Sequence, residues 1–426
     1  MANELVALLG GVEVGRVHRD GKGRLTFVYD EAWRQAPNAY PLSLSMPLAA
    51  REHKPAPVEA FLWGLLPDNE LVLRRWGQRF QVSARSAFAL MSHVGEDCAG
   101  AVQLVTPARL EAVQSGSQDQ VEWLDEQNIA ERLRGLRADH GAWRLPGDTG
   151  QFSLAGAQPK TALLLEDGRW GIPSGRIPTT HILKPPTGQF DGHAENEHVC
   201  LALARALGLP AASSQVMKFK DEIAISIERY DRQRSGNQII RVHQEDTCQA
   251  LAIMPTRKYQ SEGGPGVSEL LGLLRVQSSA RDEDMDSFLG AVGFNWLIAG
   301  SDAHAKNYSL LITGGPRVRL APLYDLASIL PYDKIDLHKV KLAMKVGGEY
   351  LLHQIGLRQW RKLAQEGRVD ADGLIDKLRG MARQLPDEVG PARARAREEG
   401  LDRTIIDRLA TRLTQRAQEC QRLLAE

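Results

Sequence analysis

Asn295-Trp-Leu-Ile-Ala-Gly-Ser-Asp302-Ala-His304-Ala-Lys306-Asn307 is the stretch whose reading decides the fold. An apolar helical run, with Met285, Phe288, Leu289, Val292 and Trp296 at helical spacing, feeds a tight polar turn. The turn carries an acid at Asp302 and an amide at Asn307. Two short strands joined by Gly314-Gly315 are expected next, over 308–313 and 318–321. A second acid, Asp325, then closes Pro322-Leu-Tyr-Asp325. Acid, amide, hairpin, acid is the order in which a protein-kinase centre presents its parts. In that chemistry the first aspartate accepts or orients the substrate hydroxyl, while the asparagine and second aspartate hold the metal ions that neutralise phosphate charge. A lone turn aspartate needs no such explanation, but three residues with complementary tasks do. His304 and Lys306, between them, are either phosphate contacts or ordinary turn residues.

Phosphoryl transfer asks the protein for positioning and charge neutralisation more than covalent help, so a nucleotide site must lie elsewhere in the chain. Lys184 ends the apolar strand Thr180-His-Ile-Leu-Lys184 and resembles the strand lysine that meets the α- and β-phosphates. The plain alternative is an edge-strand lysine. Glu197, on a helix expected over 194–207, is the candidate to pair with it, with Glu195 as competitor. Ser153-Leu154-Ala155-Gly156-Ala157-Gln158-Pro159-Lys160-Thr161 holds one glycine, so it has neither the repeated glycines of a kinase loop nor the first half of a Walker A motif. Its pattern predicts a strand over 152–155 and a turn whose N–H groups could cradle phosphate. Ile227-Glu228-Arg-Tyr230-Asp231, where a β-rich stretch hands over to helices, is the candidate adenine-flanking segment, with Tyr230 available to cover a base.

The chain has 426 residues, which favours two or three domains. Its 43% hydrophobic and 25% charged residues are those of a soluble globular protein. Basic and acidic residues balance at 53 each, which does not suggest a general nucleic-acid or membrane binder. Cys98, Cys200, Cys248 and Cys420 form no CxxC or Cys/His cluster, so reduced thiols in a cytoplasmic protein are expected. The start carries no signal-peptide pattern, and no run is long enough to span a bilayer.

Periodicity predicts strands over 4–8, 12–17 and 25–29, an alternating segment over 40–48, and a helical stretch over 57–75 broken at Pro67-Asp68. A short helix over 87–91 and a strand over 101–105 complete this part. An amphipathic helix is expected over 123–137 and a turn at Gly147-Asp-Thr-Gly150. Strands follow over 161–165, 170–172, 180–184, 215–219 and 223–229; beyond 236 the chain turns helical, with later helices over 357–366, 369–385 and 401–424. The expected fold class is α+β: a protein-kinase-like bilobal fold with a small N-terminal α+β subdomain. The domains are 1–106 (N-terminal subdomain), 107–235 (kinase N-lobe with the phosphate-binding loop) and 236–426 (helical C-lobe).

Seven motifs taken together resemble the HipA family of bacterial toxin–antitoxin serine/threonine kinases. They are Ser153-Leu-Ala-Gly-Ala-Gln-Pro-Lys160, His181-Ile-Leu-Lys184, Ala194-Glu-Asn-Glu197, Glu228-Arg-Tyr-Asp-Arg232, His243-Gln-Glu-Asp-Thr-Cys-Gln249, Gly300-Ser-Asp-Ala-His-Ala-Lys-Asn307 and Pro322-Leu-Tyr-Asp325. The resemblance covers residues from near 1 to at least 350. It implies an ATP- and Mg2+-dependent kinase in which Asp302 is catalytic and Asn307 and Asp325 bind metal. Lys184 and the loop residues Leu154, Ala155, Gly156, Ala157, Gln158 and Lys160 would contact the nucleotide, with His304 and Lys306 as further candidates from the turn itself, and Glu228 and Tyr230 would flank adenine. Ser153 matches the family's autophosphorylated serine, and phosphorylation there would expel the loop and switch the enzyme off. The implied substrate is an aminoacyl-tRNA synthetase such as glutamyl-tRNA synthetase, with stalled translation and persistence as the outcome. The implied partner is a HipB-like helix-turn-helix antitoxin, which brings operator DNA. Pro159 departs from the family, which often has a charged residue at that loop position, and it has no N–H to offer phosphate. Two alternatives stay open: a small-molecule kinase of the sugar or aminoglycoside type, and a non-catalytic pseudokinase.

Overall fold

The computed structural model describes residues 3–139, 143, 152–186, 192–236, 238–315 and 317–425; the turn expected at Gly147–Gly150 lies outside them. Two compact units are present. The first takes in Met1–Pro185, Met217–Thr256 and Ser309–Val318, and the second Pro186–Val216, Arg257–Tyr308 and Arg319–Glu426.

The first unit begins with an antiparallel five-stranded sheet in the order Glu52–His53, Leu25–Tyr29, Val12–Arg19, Glu4–Leu9, Val102–Val105. Leu25, Phe27 and Tyr29 alternate inward and are buried, as period two requires. They share a core with Phe61, Trp76 and Phe88 from the helices Pro55–Gly64, Glu70–Phe80 and Ala87–Val94. The predicted break at Pro67-Asp68 separates the first two helices. Asn69 then starts the second by accepting the N–H groups of Leu71 and Val72 on Oδ1. The alternating segment 40–48 is not a strand, and its β pairing is limited to a Ser43–Met46 bridge. The Tyr29 hydroxyl organises it instead, donating to Met46 O at 2.6 Å and accepting from Leu42 N at 2.8 Å.

A six-stranded antiparallel sheet follows, ordered Ser214–Phe219, Glu222–Glu228, His181–Lys184, Thr161–Glu166, Arg169–Ser174, Gln120–Leu124. Its last strand corrects the helix expected over 123–137. Trp123 lies on the strand, under the Arg169 guanidinium, and the helix is Glu126–Ala138, started by a reciprocal Asp125–Asn128 capping box. Residues 152–155 are not a strand either; Phe152 alone bridges to Asp97. Nor does the chain become helical directly after 236. The hairpin Arg232–Ser235/Gln238–Arg241 comes first, and His243–Asp246 then pairs with Ser309–Thr313. That strand also pairs with Arg317–Leu320, so the expected hairpin is one side of a three-stranded sheet.

The second unit is helical. Ala371–Glu398 packs against His193–Ala206, Arg281–Leu297, Leu357–Gly367 and Arg403–Leu423. Trp296 and Trp360 meet edge to face at its centre. The helix expected to stop at 385 runs on through Pro386 and Pro391. Pro386 cannot donate to Ala382 O, but the Gln421 side chain does so at 2.8 Å and satisfies that carbonyl. The helix Val267–Gln277 and the strands Lys341–Val346 and Glu349–Leu351 were not anticipated.

Candidate active site

The helix Arg281–Leu297 ends in a reversal built by Ala299 at φ +54°. Gly300 N–H returns to Asn295 O at 2.7 Å. A Cβ at Gly300 would lie 2.3 Å from Asn295 Oδ1, so a larger residue there would have to displace the Asn295 side chain. Asp302 follows. Its carbonyl accepts two bonds, from His304 N–H at 2.8 Å and from Asn307 Nδ2 at 3.0 Å. The predicted acid and amide are therefore bonded to each other through main chain. With its nitrogen so engaged, Asn307 has its amide oxygen as the end suited to a cation.

His304, Lys306 and Asn307 are buried, whereas the Asp302 side chain is exposed. One acid thus projects from a loop otherwise packed inward. Two tyrosines lock the loop. Tyr324 Oη donates to Lys306 O at 2.6 Å, and Tyr259 Oη donates to Asp302 Oδ1 at 2.6 Å. The Tyr259 ring also stands edge-on to His304, with centroids 4.9 Å apart. Tyr324 carries Asp325 beside it in the chain, and Asp325 has φ +57°. A non-glycine residue held there stores strain, which is commonest where function requires it. No group of three or more His, Cys, Asp or Glu that could hold a metal ion is found among the described residues. Asn307 and Asp325 are the residues that would hold magnesium, through oxygen atoms of the kind that ion takes.

The nucleotide-side candidates Lys184, Glu228, Tyr230 and the loop 153–160 stand in the first unit. Lys184 is buried on His181–Lys184, flanked by Glu222–Glu228 and Thr161–Glu166. The edge-strand alternative is thereby removed. Glu195 and Glu197 are both buried in the first turns of His193–Ala206, which belongs to the second unit. Glu228 is exposed at its strand end, and Tyr230 donates its hydroxyl to Gln244 Oε1 at 2.5 Å. Burial raises the Tyr230 phenol above its usual range.

The loop from Ser153 to Lys160 is docked. Ser153 is fully buried, and its hydroxyl donates to Leu65 O at 2.8 Å. Asp68 N–H donates to Gly156 O at 3.1 Å. Lys160 Nζ turns back onto Ala155 O at 2.6 Å, and it does so over Gly156 at φ +102°, where a Cβ would lie 2.5 Å from Nζ. The lone glycine that looked too few for a phosphate loop is the one this crossing demands.

Sequence reading missed Tyr259, Tyr324 and Asp97. Tyr324 sits inside a quoted motif and had a signal there. Tyr259 lies 43 positions from Asp302 and had none.

Comparison with known proteins supplies the family. The HipA-like C-terminal domain matches residues 152–389, and the HipA N-terminal domain matches residues 5–105. Y4mE of Sinorhizobium fredii, named as a kinase, is 37% identical over 394 residues, covering 91% of this chain and 90% of that protein. The serine/threonine-protein kinase toxin HipA of Shewanella oneidensis is 28% identical over 397 residues, covering 89% and 87%. The structure of Shewanella oneidensis HipA with HipB and operator DNA superposes with a TM-score of 0.84 at 24% identity, covering 99% of this chain and 98% of that one. The α+β architecture expected from sequence is thus that of a solved HipA. The chain belongs to the HipA family of kinases, with both the N-terminal and the C-terminal domain of that family present.

Proposed function

We propose that this protein is a toxin serine/threonine kinase that transfers the γ-phosphate of ATP to a protein hydroxyl. The observation that carries the reading is the catalytic turn: an exposed Asp302 on a buried loop, bonded to Asn307 and neighboured through Tyr324 by a strained Asp325. In this reading the Asp302 carboxylate accepts or orients the attacking hydroxyl. Tyr259 holds that carboxylate in one rotamer, and Asn307 and Asp325 hold magnesium. The metal, when bound, supplies neutralisation of phosphate charge. Lys184 and the N–H groups of Leu154–Gln158 bind phosphates, with Lys160, His304 and Lys306 as further contacts. Glu228 and Tyr230 flank the adenine. The proposed division of labour is an N-terminal subdomain over 1–106, a nucleotide lobe over 107–235 and a catalytic lobe over 236–426.

Ser153 is the proposed autophosphorylation site. A buried hydroxyl leaves no room for a dianion, so phosphorylation would exclude the docked loop and inactivate the kinase. The proposed setting is the cytoplasm. The proposed partner is a HipB-like antitoxin with operator DNA, and an aminoacyl-tRNA synthetase is the proposed substrate. Among the described residues no helix is long and apolar enough to cross a membrane.

Intact-mass measurement after incubation with ATP and magnesium tests this reading. One added phosphate is expected, absent in Ser153→Ala and in Asp302→Ala. Turnover of a sugar or aminoglycoside without self-phosphorylation would instead identify a small-molecule kinase. Phosphoproteomics of cells expressing the chain against Asp302→Ala then names the substrate.

A further inference from the structure

A buried charge cluster in the first unit is untouched by the mechanism. It joins Asp97, at the end of the N-terminal subdomain, to Arg229, Asp231, Arg232 and Arg241 around the candidate adenine segment. Asp97, Arg229, Asp231 and Arg232 are buried, and Arg241 is half-buried with its side chain only 6% exposed. Asp97 Oδ1 accepts from Arg232 Nη2 at 2.9 Å and Arg241 Nη1 at 2.7 Å. Its Oδ2 accepts from the Thr179 hydroxyl at 2.6 Å and Thr179 N–H at 3.1 Å, with Arg229 Nη1 at 3.5 Å. Burial alone would raise the Asp97 carboxyl; Arg241, Arg232 and Arg229 overcome it and hold Asp97 well below the usual range. The main chain joins in. Cys98 O accepts from Arg229 and Arg232, and Gly100 N–H donates to Asp231 Oδ2 at 2.6 Å. Gly100 must be glycine, since a Cβ would lie 2.6 Å from Gln244 N. Gln244 Oε1 in turn accepts the Tyr230 hydroxyl.

The other side of the same residue reaches the phosphate loop. Asp97 O accepts Ser153 N–H at 2.9 Å, in a bridge between Asp97 and Phe152. One residue therefore grips the loop by its main chain and the adenine segment by its side chain. Buried charges paired on every side fix geometry tightly, because losing one partner leaves another unpaired.

We infer that Asp97 is a positioning residue for nucleotide binding that couples the two, so that undocking the Ser153 loop loosens the adenine segment and loosening that segment undocks the loop. The N-terminal subdomain is then part of the nucleotide site. The inference rests on the proposed roles of 153–160 and 228–230 for its effect on ATP, but the coupling itself does not.

The test uses the full chain. Amide hydrogen exchange and ATP–magnesium affinity are measured for wild type, Asp97→Asn, Thr179→Val and Ser153→Asp. Thr179→Val keeps all five charges and removes only the hydroxyl bonds to Asp97 and Arg229, so it carries the test should Asp97→Asn fail to fold. Expected in Thr179→Val and Asp97→Asn is at least tenfold faster exchange at both 152–156 and 229–232, with helix Ala371–Glu398 unchanged. The apparent KM for ATP should rise about tenfold with kcat within twofold, a split that general destabilisation would not give. Ser153→Asp should speed exchange at 229–232 without touching that segment. Wild-type exchange at 229–232 in Ser153→Asp, or at 152–156 in a folded Thr179→Val, overturns the coupling. Should wild type bind no ATP, the kinase reading fails, while the exchange results still decide the coupling.

Discussion

The turn at 302–307 and the loop at 153–160 are built on opposite plans. In the turn, the proposed catalytic acid is outside and its supports are inside: Asp302 is exposed while His304, Lys306 and Asn307 are buried. In the loop, the hydroxyl proposed for phosphorylation is inside: Ser153 Oγ is buried against Leu65 O, and the loop is held by bonds to Asp68 and Asp97. Rigid support under an exposed acid costs no reorganisation at the moment of reaction. A buried serine, by contrast, can be modified only after its loop has left. The first plan suits chemistry and the second suits a switch.

The largest effect expected is on the turn. Asp302→Ala and Asp325→Asn should each lower phosphoryl transfer by roughly 10²–10⁴-fold. Unfolding curves should move little, because Asp302 is exposed and Asp325 half-buried. Loss of fold in Asp302→Ala would break the contrast, since it would make the acid structural. Next comes the loop. Ser153→Asp places a carboxylate where a fully buried hydroxyl sits, and ATP affinity measured by calorimetry should fall roughly 10–100-fold, as the docked fraction drops. Ser153→Ala loses one hydrogen bond, costing about 1 kcal/mol, and should keep nucleotide binding. Tyr259→Phe sharpens the account of support: losing a bond to a charged acceptor should lower kcat about tenfold with KM unchanged.

The smallest effect concerns a second acid. Glu245 is buried with Oε1 on Leu44 N–H at 2.7 Å, and burial pushes its carboxyl up to about 8. Its ordinary value is 4.5. Between those pH values the folded state holds a proton that the unfolded chain has lost, so Glu245 makes stability fall as pH rises from 4.5 toward 8. Glu245→Gln keeps an acceptor for Leu44 and should remove that fall, seen as a Tm difference of about a few degrees between pH 5 and pH 8. An identical pH profile in the variant would show that Glu245 is ionised in the fold.

Much of this was readable from residues alone. Strand alternation at 25–29, the proline break at 67 and the helical stripe of 285–296 are local patterns, and local sterics and solvation set them. The acid–amide offset of 302 and 307 is equally local, because one turn brings both together. What depended on segments far apart in sequence was invisible. A helix passes through Pro386 because Gln421 supplies the missing bond to Ala382 O, across 39 positions of sequence. Tyr259 reaches Asp302 across 43 positions, and Asp97 reaches Arg241 across 144. The sequence determined which residues are able to do the chemistry, since charge, amide and glycine carry that in their side chains. Only the tertiary structure decided which of them is exposed to react and which is held in reserve, because burial is a property of what packs around a residue.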